Sequence, residues 1–326
     1  MIAPFAYTRA TTVREAVAAL AAPGARALAG GTDLLGCARD RVFDVSAVVS
    51  LARVDALRGI AATADGGLRI GATTTIDAIA RHPLVAARYR ALAEAAAAVA
   101  SPQLRHQGTL GGNLCQRPRC WYFRGGYDCA RKGGDTCYAV DGDNRYHCLF
   151  GGGVCVIVHP SDTATALTAL GATVAIAGPT GERAVPIDEF FVLPETDVTR
   201  EHVLGPGEIV TEVRLPALPE GTLSACRKVR ARGAWDFALA SLAATVRLEK
   251  DRVRDARLVL GAAAPIPWRA RDAEQAIAGQ RLDAKTIQRA AAAAVRGAAP
   301  LTHNGYKVPM FRGLVEEVLE GFAPRA

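Results

Sequence analysis

Six of the eight cysteines in this chain fall between Ser101 and Asp162: Cys115, Cys120, Cys129, Cys137, Cys148 and Cys155. Thiols at that density imply disulfides, a metal ion or an iron-sulfur cluster. Disulfides need an oxidising compartment, yet the chain opens Met1-Ile2-Ala3-Pro4-Phe5 with no basic stretch and apolar core of a leader. Zinc favours close C-x2-C knuckles, whereas Cys120, Cys129, Cys137 and Cys155 are separated by eight, seven and seventeen residues. Such spacing suits a loop wrapped around something larger. A [4Fe-4S] cube takes four thiolates and is tuned by burial and by hydrogen bonds to its sulfurs, and Trp121-Tyr122-Phe123 offers an apolar wall. Spacing therefore ranks the cube above zinc, and zinc above disulfides.

Two glycine pairs carry a second kind of chemistry. Ala27-Leu28-Ala29 reads as a strand that runs into Gly30-Gly31-Thr32-Asp33 and then an apolar segment from Leu34. In a strand-turn-helix of this kind, glycines let backbone N–H groups converge on an anion such as a diphosphate. A plain tight turn would look the same. Gly111-Gly112-Asn113, after Arg105-His106-Gln107-Gly108-Thr109, reads as a second loop presenting N–H groups, and a dinucleotide could use both. Asp162, at the start of a helix after Pro160-Ser161, is either an N-terminal cap or a carboxylate accepting from ribityl or ribose hydroxyls.

The elements that must hold these loops follow from periodicity. Helices are expected at Thr12–Leu20, Ile76–Ile79, Ala86–Ala100, from Asp162 through Leu167, and at Ala273–Ala278, Thr286–Val295 and Phe311–Leu319. Strands are expected at Asp44–Leu51, Gly67–Gly71, Val154–His159, Thr173–Ala177, Glu208–Leu215, Leu223–Val229, Ala238–Leu248 and Val253–Leu260. Thr73-Thr74-Thr75 reads as a helix cap. The loop-like stretch Val192–Glu201 marks the expected boundary between residues 1–191, carrying the cysteine insert at about 115–155, and residues 200–326, a small antiparallel sheet backed by helices.

A length of 326 residues fits two domains. The net charge of +7 is dispersed, with no run of five basic residues, which argues against nucleic acid. The most apolar stretch, Ala91–Ala100, is broken by Glu94 and closed by Ser101-Pro102, too short to span a bilayer. No G-x-G-x-x-G follows a strand, so a nicotinamide site is not expected. The histidines are scattered, and no catalytic residue is assigned.

Taken together, Ala29-Gly30-Gly31-Thr32-Asp33-Leu34, Leu104 to Leu114 with its Thr109-Leu110-Gly111-Gly112-Asn113, and Pro160-Ser161-Asp162-Thr163-Ala164 resemble the flavin subunit of molybdenum hydroxylases. The resemblance covers nearly the whole chain, including Lys228-Val229-Arg230. It implies an α+β protein: a two-domain FAD-binding fold of the vanillyl-alcohol-oxidase type followed by the antiparallel sheet and its helices. Most members lack the cysteine insert. Its presence resembles a branch with an extra [4Fe-4S] cluster, the medium subunits of 4-hydroxybenzoyl-CoA reductase and of bacterial periplasmic aldehyde oxidoreductases. Arg117-Pro118-Arg119-Cys120-Trp121-Tyr122-Phe123 and His159-Pro160-Ser161-Asp162 are closer to the latter.

The resemblance implies that Arg26, Ala27, Leu28, Ala29, Gly30, Gly31, Thr32, Asp33 and Leu34 wrap the FAD diphosphate. Thr109, Gly112 and Asn113 form a second wall, Asp162 accepts from cofactor hydroxyls, and Lys228 lies near the flavin or its chain. Arg119 touches both centres, or is a solvated surface arginine. The implied cluster ligands are Cys120, Cys129 and Cys137 with Cys155 as fourth, Cys148 being the competitor because Tyr146 stands where the reductase-type motif has cysteine. Implied partners are a large subunit with the molybdenum cofactor, which oxidises the aldehyde, and a small subunit with [2Fe-2S] clusters; this chain alone does not turn over aldehyde. It carries no signal of its own and is expected in the cytoplasm as made, or in the periplasm by export with a signal-bearing small subunit. The rival readings are a free-standing flavin oxidase and a zinc-stapled binding protein.

Overall fold

Three sheets follow one another along the chain in the computed structural model, which describes residues 2–324. Met1, where the leader reading begins, and Arg325-Ala326, at the end of the expected C-terminal domain, lie outside the described residues. The first sheet has β1 (Ala6–Arg9), β2 (Ala25–Leu28) and β3 (Ala47–Ser50), all parallel in the order β1-β3-β2. Parallel neighbours need crossover connections, and the helices α1 (Val13–Leu20) and α2 (Leu34–Arg39) provide them. Thr12 caps α1 by accepting from the Glu15 N–H.

The second sheet is antiparallel and contains β4 (Ile60–Ala62), β5 (Leu68–Gly71), β6 (Thr173–Gly178), β7 (Gly181–Pro186) and β8 (Ile209–Leu215), in the order β4-β5-β8-β6-β7. Its apolar face carries Leu68, Ile70, Val174 and Val213 into a core shared with the helices α3 (Ile76–Arg81), α4 (Pro83–Arg88), α5 (Arg90–Ala97) and, further along, the one that begins at Asp162. Thr75 caps α3, as the threonine run suggests. Three expectations are corrected here. The strand at Glu208–Leu215, assigned to the C-terminal domain, lies between β5 and β6, so the N-terminal sheet extends past the boundary expected at residues 192–200. The single helix over Ala86–Ala100 breaks at Tyr89, which is fully buried and donates its hydroxyl to the Pro216 carbonyl, 2.8 Å away. The strand at Val154–His159 is extended chain held by isolated bonds, Cys148 N–H to Val156 O and His159 N–H to Ala264 O, both 2.9 Å.

Between these strands lie α6 (Pro102–Gln107), α7 (Leu110–Leu114), α8 (Trp121–Arg124), α9 (Asp162–Ala169) and α10 (Ile187–Phe190). The third sheet, β9 (Thr222–Val229), β10 (Ala240–Glu249), β11 (Arg252–Gly261) and β12 (Trp268–Arg269), is antiparallel in the order β12-β11-β10-β9. It is backed by α11 (Arg271–Ile277), α12 (Ala284–Ala294) and α13 (Lys307–Phe322), as the sequence predicts. No helix among the described residues is long and apolar enough to cross a membrane.

A polar knot ties the start of α13 to the cysteine insert. Asn304 donates its side-chain amide to the carbonyls of His147 (3.1 Å) and Cys148 (2.9 Å), and His303 N–H donates to Asn144 Oδ1 (2.9 Å). Lys307 is fully buried and donates Nζ to the carbonyls of His147 (3.0 Å) and Ala262 (2.6 Å). Burial lowers its ammonium from 10.5 to about 8. The folded value lies below the unfolded one, so between those pH values the folded state holds fewer protons and stability rises with pH. The span corresponds to up to about 3 kcal/mol. Measured against Lys307→Met, the wild-type melting temperature is expected to climb by several degrees from pH 7.5 to pH 10, on the scale of ~2–4 °C per kcal/mol for large domains. Equal slopes in the two proteins would refute this role.

Candidate functional site

The first glycine loop sits where β2 hands over to α2. Among the described residues, the N–H groups of Gly30, Gly31, Thr32 and Asp33 donate to no other protein group, which leaves a row of donors for an anion. Gly31 has φ +71°, the left-handed region that glycine enters without penalty. Gly30 backs so closely onto the carbonyl of Gln107 that a Cβ there would overlap the oxygen. The two loops are therefore packed backbone to backbone.

The second loop departs from expectation. Gly111-Gly112-Asn113 lies inside the helical turn α7, whose cap is Thr109, accepting from Gly112 N–H at 3.3 Å. Its other N–H groups are spent as well: Leu110 on Thr74 O, Gly111 on Ala72 O, Asn113 on Thr109 O. What this turn offers a ligand is side chains and close approach. Asn113 Oδ1 accepts from the hydroxyls of Ser161 and Thr163, both 2.6 Å, which orients its amide nitrogen as a donor.

Asp162 is not the cap of α9. Ser161 fills that place, accepting from Ala164 N–H at 3.0 Å, and Asp162 is the first residue of the helix. Its carboxylate accepts from Lys228 Nζ at 2.6 Å, and both side chains are buried. Burial pushes the Asp162 carboxyl up while Lys228 pulls it back. Lys228, near the end of β9, also donates to Ala98 O at 3.1 Å.

These groups line one cleft: Thr32, Asp33, Thr109, Gly112, Asn113, Arg119, Asp162 and Lys228, with Trp235 and Phe237 from the loop between β9 and β10. A second cavity of about 330 Å³ continues it past Arg119, Asp162 and Phe237 toward Trp121 and Tyr146. Of the expected flavin residues, Arg26 points elsewhere, its guanidinium stacked 4.9 Å from the Phe43 ring centre. Ala27, Leu28, Ala29, Gly30, Gly31 and Leu34 form the strand end, the turn and the helix start without lining the cleft, which Thr32 and Asp33 reach.

Asp33 has a use beyond the loop it belongs to. Its carboxylate makes no cap bond to α2; Oδ1 meets Arg124 at 2.7 Å and Arg119 at 2.9 Å, and Oδ2 accepts from Arg117 N–H at 2.8 Å. Arg119 is thus no free surface arginine, and its guanidinium also lies 4.9 Å from the Phe237 ring centre. A second carboxylate, Glu201, is buried between Arg117 (2.9 Å) and Arg131 (2.6 Å).

Cys120, Cys129, Cys137 and Cys155 line a single cavity with Tyr122, Phe123, Arg131, His147 and Ile157. All eight thiols are free. Cys148 lies outside that cavity, in a small apolar cluster with Ala139 and Val156, and burial drives its thiol up to about 12. Cys115 and Cys226 belong to the main core, and Cys37 packs with Phe123 and Cys129. Two nitrogens reach sulfurs of this cavity: Arg131 Nε donates to Cys155 Sγ at 3.5 Å, and His147 Nε2 lies 3.3 Å from Cys120 Sγ. The neighbouring Cys137, together with burial, pushes the Cys155 thiol up, and Cys155 lowers that of Cys137 to about 6. Among the described residues no three His, Cys, Asp or Glu side chains are arranged to hold a single metal ion. The cavity that the four thiols line has a volume of about 10 Å³. Among the described residues Arg131 Nη2 is buried there without a partner, so the cavity suits an anionic occupant.

Residues 3–218 match the family model described as the FAD binding domain in molybdopterin dehydrogenase. The chain belongs to the FAD-binding medium subunits of the molybdenum hydroxylases. Residues 225–321 of this medium subunit match the CO dehydrogenase flavoprotein C-terminal domain. It is 37% identical to the aldehyde oxidoreductase FAD-binding subunit of Escherichia coli, over 81% of this chain and 83% of that one. A putative xanthine dehydrogenase FAD-binding subunit of the same organism is 31% identical over 90% of this chain and 86% of its own length. Among solved structures, a carbon monoxide dehydrogenase from Hydrogenophaga pseudoflava superposes with a TM-score of 0.79 at 28% identity, covering 99% of this medium subunit and all of that chain. These relatives are oxidoreductase subunits, and so is this chain. Sequence reading missed Trp235 and Phe237 in the medium subunit's cleft, although a Trp-Asp-Phe run inside an otherwise polar loop was a signal available for them. It also missed Arg131, Glu201 and His147, for which no local motif speaks.

Proposed function

We propose that this chain is the FAD- and [4Fe-4S]-carrying electron-transfer subunit of a heterotrimeric molybdenum aldehyde oxidoreductase. Its partners would be a large molybdopterin-binding subunit that oxidises aldehyde and a small [2Fe-2S] subunit. The observation that carries the cluster is the convergence of four thiols and a buried arginine on one cavity. The aldehyde branch is supported by the 37% identity to an aldehyde oxidoreductase subunit.

FAD, once bound, accepts and releases electrons singly or in pairs, the chemistry that joins a two-electron oxidation to one-electron carriers. The chain's own residues do the holding. The N–H row of Gly30 to Asp33 and the Thr32 hydroxyl take the diphosphate, and the Asn113 amide donates from the opposite wall. Asp162, paired with the Lys228 ammonium at 2.6 Å, accepts from cofactor hydroxyls. Trp235 and Phe237 supply apolar cover over the cleft.

The test is isolation of the chain alone and with its partners. The complex is expected to contain flavin and iron together, to oxidise aldehyde with an artificial dye and to reduce NAD far more slowly. The isolated chain should leave aldehyde untouched. Flavin without iron would point to a plain flavoprotein, and zinc in place of iron would overturn the cluster reading.

A further inference from the structure

The region between the flavin cleft and the thiol cavity holds an unbalanced charge. Two carboxylates, Asp33 and Glu201, face four guanidinium groups, those of Arg117, Arg119, Arg124 and Arg131. Two positive charges are left over, mostly out of water. Arg131 is the most enclosed of the four: its side chain is 1% exposed, as is that of Glu201. A buried cation is tolerated where every N–H finds an acceptor. Arg131 Nη1 has Glu201 Oε1 and the Arg200 carbonyl at 3.2 Å, and Nε has Cys155 Sγ. Only Nη2 has no acceptor. The guanidinium lines the thiol cavity, so the missing acceptor is expected in the occupant.

We infer that Arg131 and its counter-ion Glu201 form a positioning pair that sets the reduction potential of the group held by Cys120, Cys129, Cys137 and Cys155. This rests on the reading of that group as a [4Fe-4S] cluster. Reduction, by one electron from the flavin or from the small subunit's [2Fe-2S] carriers, which are oxidised in turn, would add one negative charge inside the ring of thiolates and make no bond. A guanidinium donating to the ring stabilises the added charge, and a carboxylate behind the guanidinium opposes it. The two residues therefore act in opposite directions on one quantity. A purely structural pair would not.

The measurement is a redox titration of the assembled complex, followed by the electron paramagnetic resonance signal of the reduced cluster. Arg131→Gln is expected to lower the midpoint and Glu201→Gln to raise it. Each should shift the reduction equilibrium about tenfold, the scale of one charge-assisted hydrogen bond, which is about 59 mV for one electron. Unchanged midpoints, or shifts of the same sign, overturn the inference. If Arg131→Gln does not accumulate, Glu201→Gln decides alone: a midpoint that stays or falls rejects the pair. A wild-type complex with FAD but no iron-sulfur signal rejects the cluster reading beneath it, an outcome distinct from a cluster whose potential ignores both substitutions.

Discussion

Cys155→Ser is expected to empty the thiol cavity of iron and abolish the signal of the reduced cluster, while Cys148→Ser keeps both. The two thiols lie seven positions apart, after the same cysteines, and length excludes neither. Their surroundings differ. Cys155 lines the cavity and accepts from Arg131 Nε at 3.5 Å. Cys148 lies outside the cavity, in an apolar cluster with Ala139 and Val156. Its replacement by serine places a hydroxyl among Ala139 and Val156, costing ~1–3 kcal/mol of stability if unpaired but no ligand. Iron analysis and the paramagnetic signal of both variants decide the matter. Iron lost from Cys148→Ser and kept by Cys155→Ser would reverse the assignment.

The second large effect belongs to Gly30. A valine there drives its Cβ into the Gln107 carbonyl, a backbone atom that cannot swing aside as a side chain would. The first loop must then lift off the second, and the N–H row loses its aim. Overpacking of this sort costs ~1–3 kcal/mol, about 10- to 100-fold in FAD affinity, and the purified variant should be pale. Gly36→Ala is the control: its added Cβ meets nothing within 4 Å, and flavin content should stay at the wild-type level. Gly31→Val should also lose flavin, because φ is +71° and Leu28 and Leu35 stand 3.1 Å from a Cβ. A fully yellow Gly30→Val would rule out the loop as the diphosphate cradle.

Local pattern made the strand–glycine–helix of residues 25–39 legible, because Ala25–Leu28, the paired glycines and the apolar Leu34-Leu35 each follow near-neighbour rules. The same holds for β9, β10 and β11, whose hydrogen-bonded partners are close in sequence. What the pattern could not carry was partnership over distance. The alternation of Ile209–Leu215 marks a strand but not its neighbours, and those turned out to be β5 and β6. The valines of 154–158 alternate as a strand would, yet no ladder partner lies beside them. At the site, cysteine density marked the loop that lines the cavity, whereas the choice of four thiols came from the family resemblance, with Cys148 left as competitor. Arg131 and Glu201, seventy positions apart, had no signal of their own, because an ion pair of that separation exists only once the chain has folded.

The knot at Asn304 and Lys307 bears on how this protein is made. The carbonyls of His147 and Cys148 are satisfied by side chains more than 150 positions further along, so the exit of the cysteine loop lacks its final partners while the ribosome is still building the third sheet. Asn304 and Lys307 follow the whole third sheet in chain order. A nascent chain stalled before residue 304 should accordingly offer the cysteines of this loop to solvent and to thiol reagents.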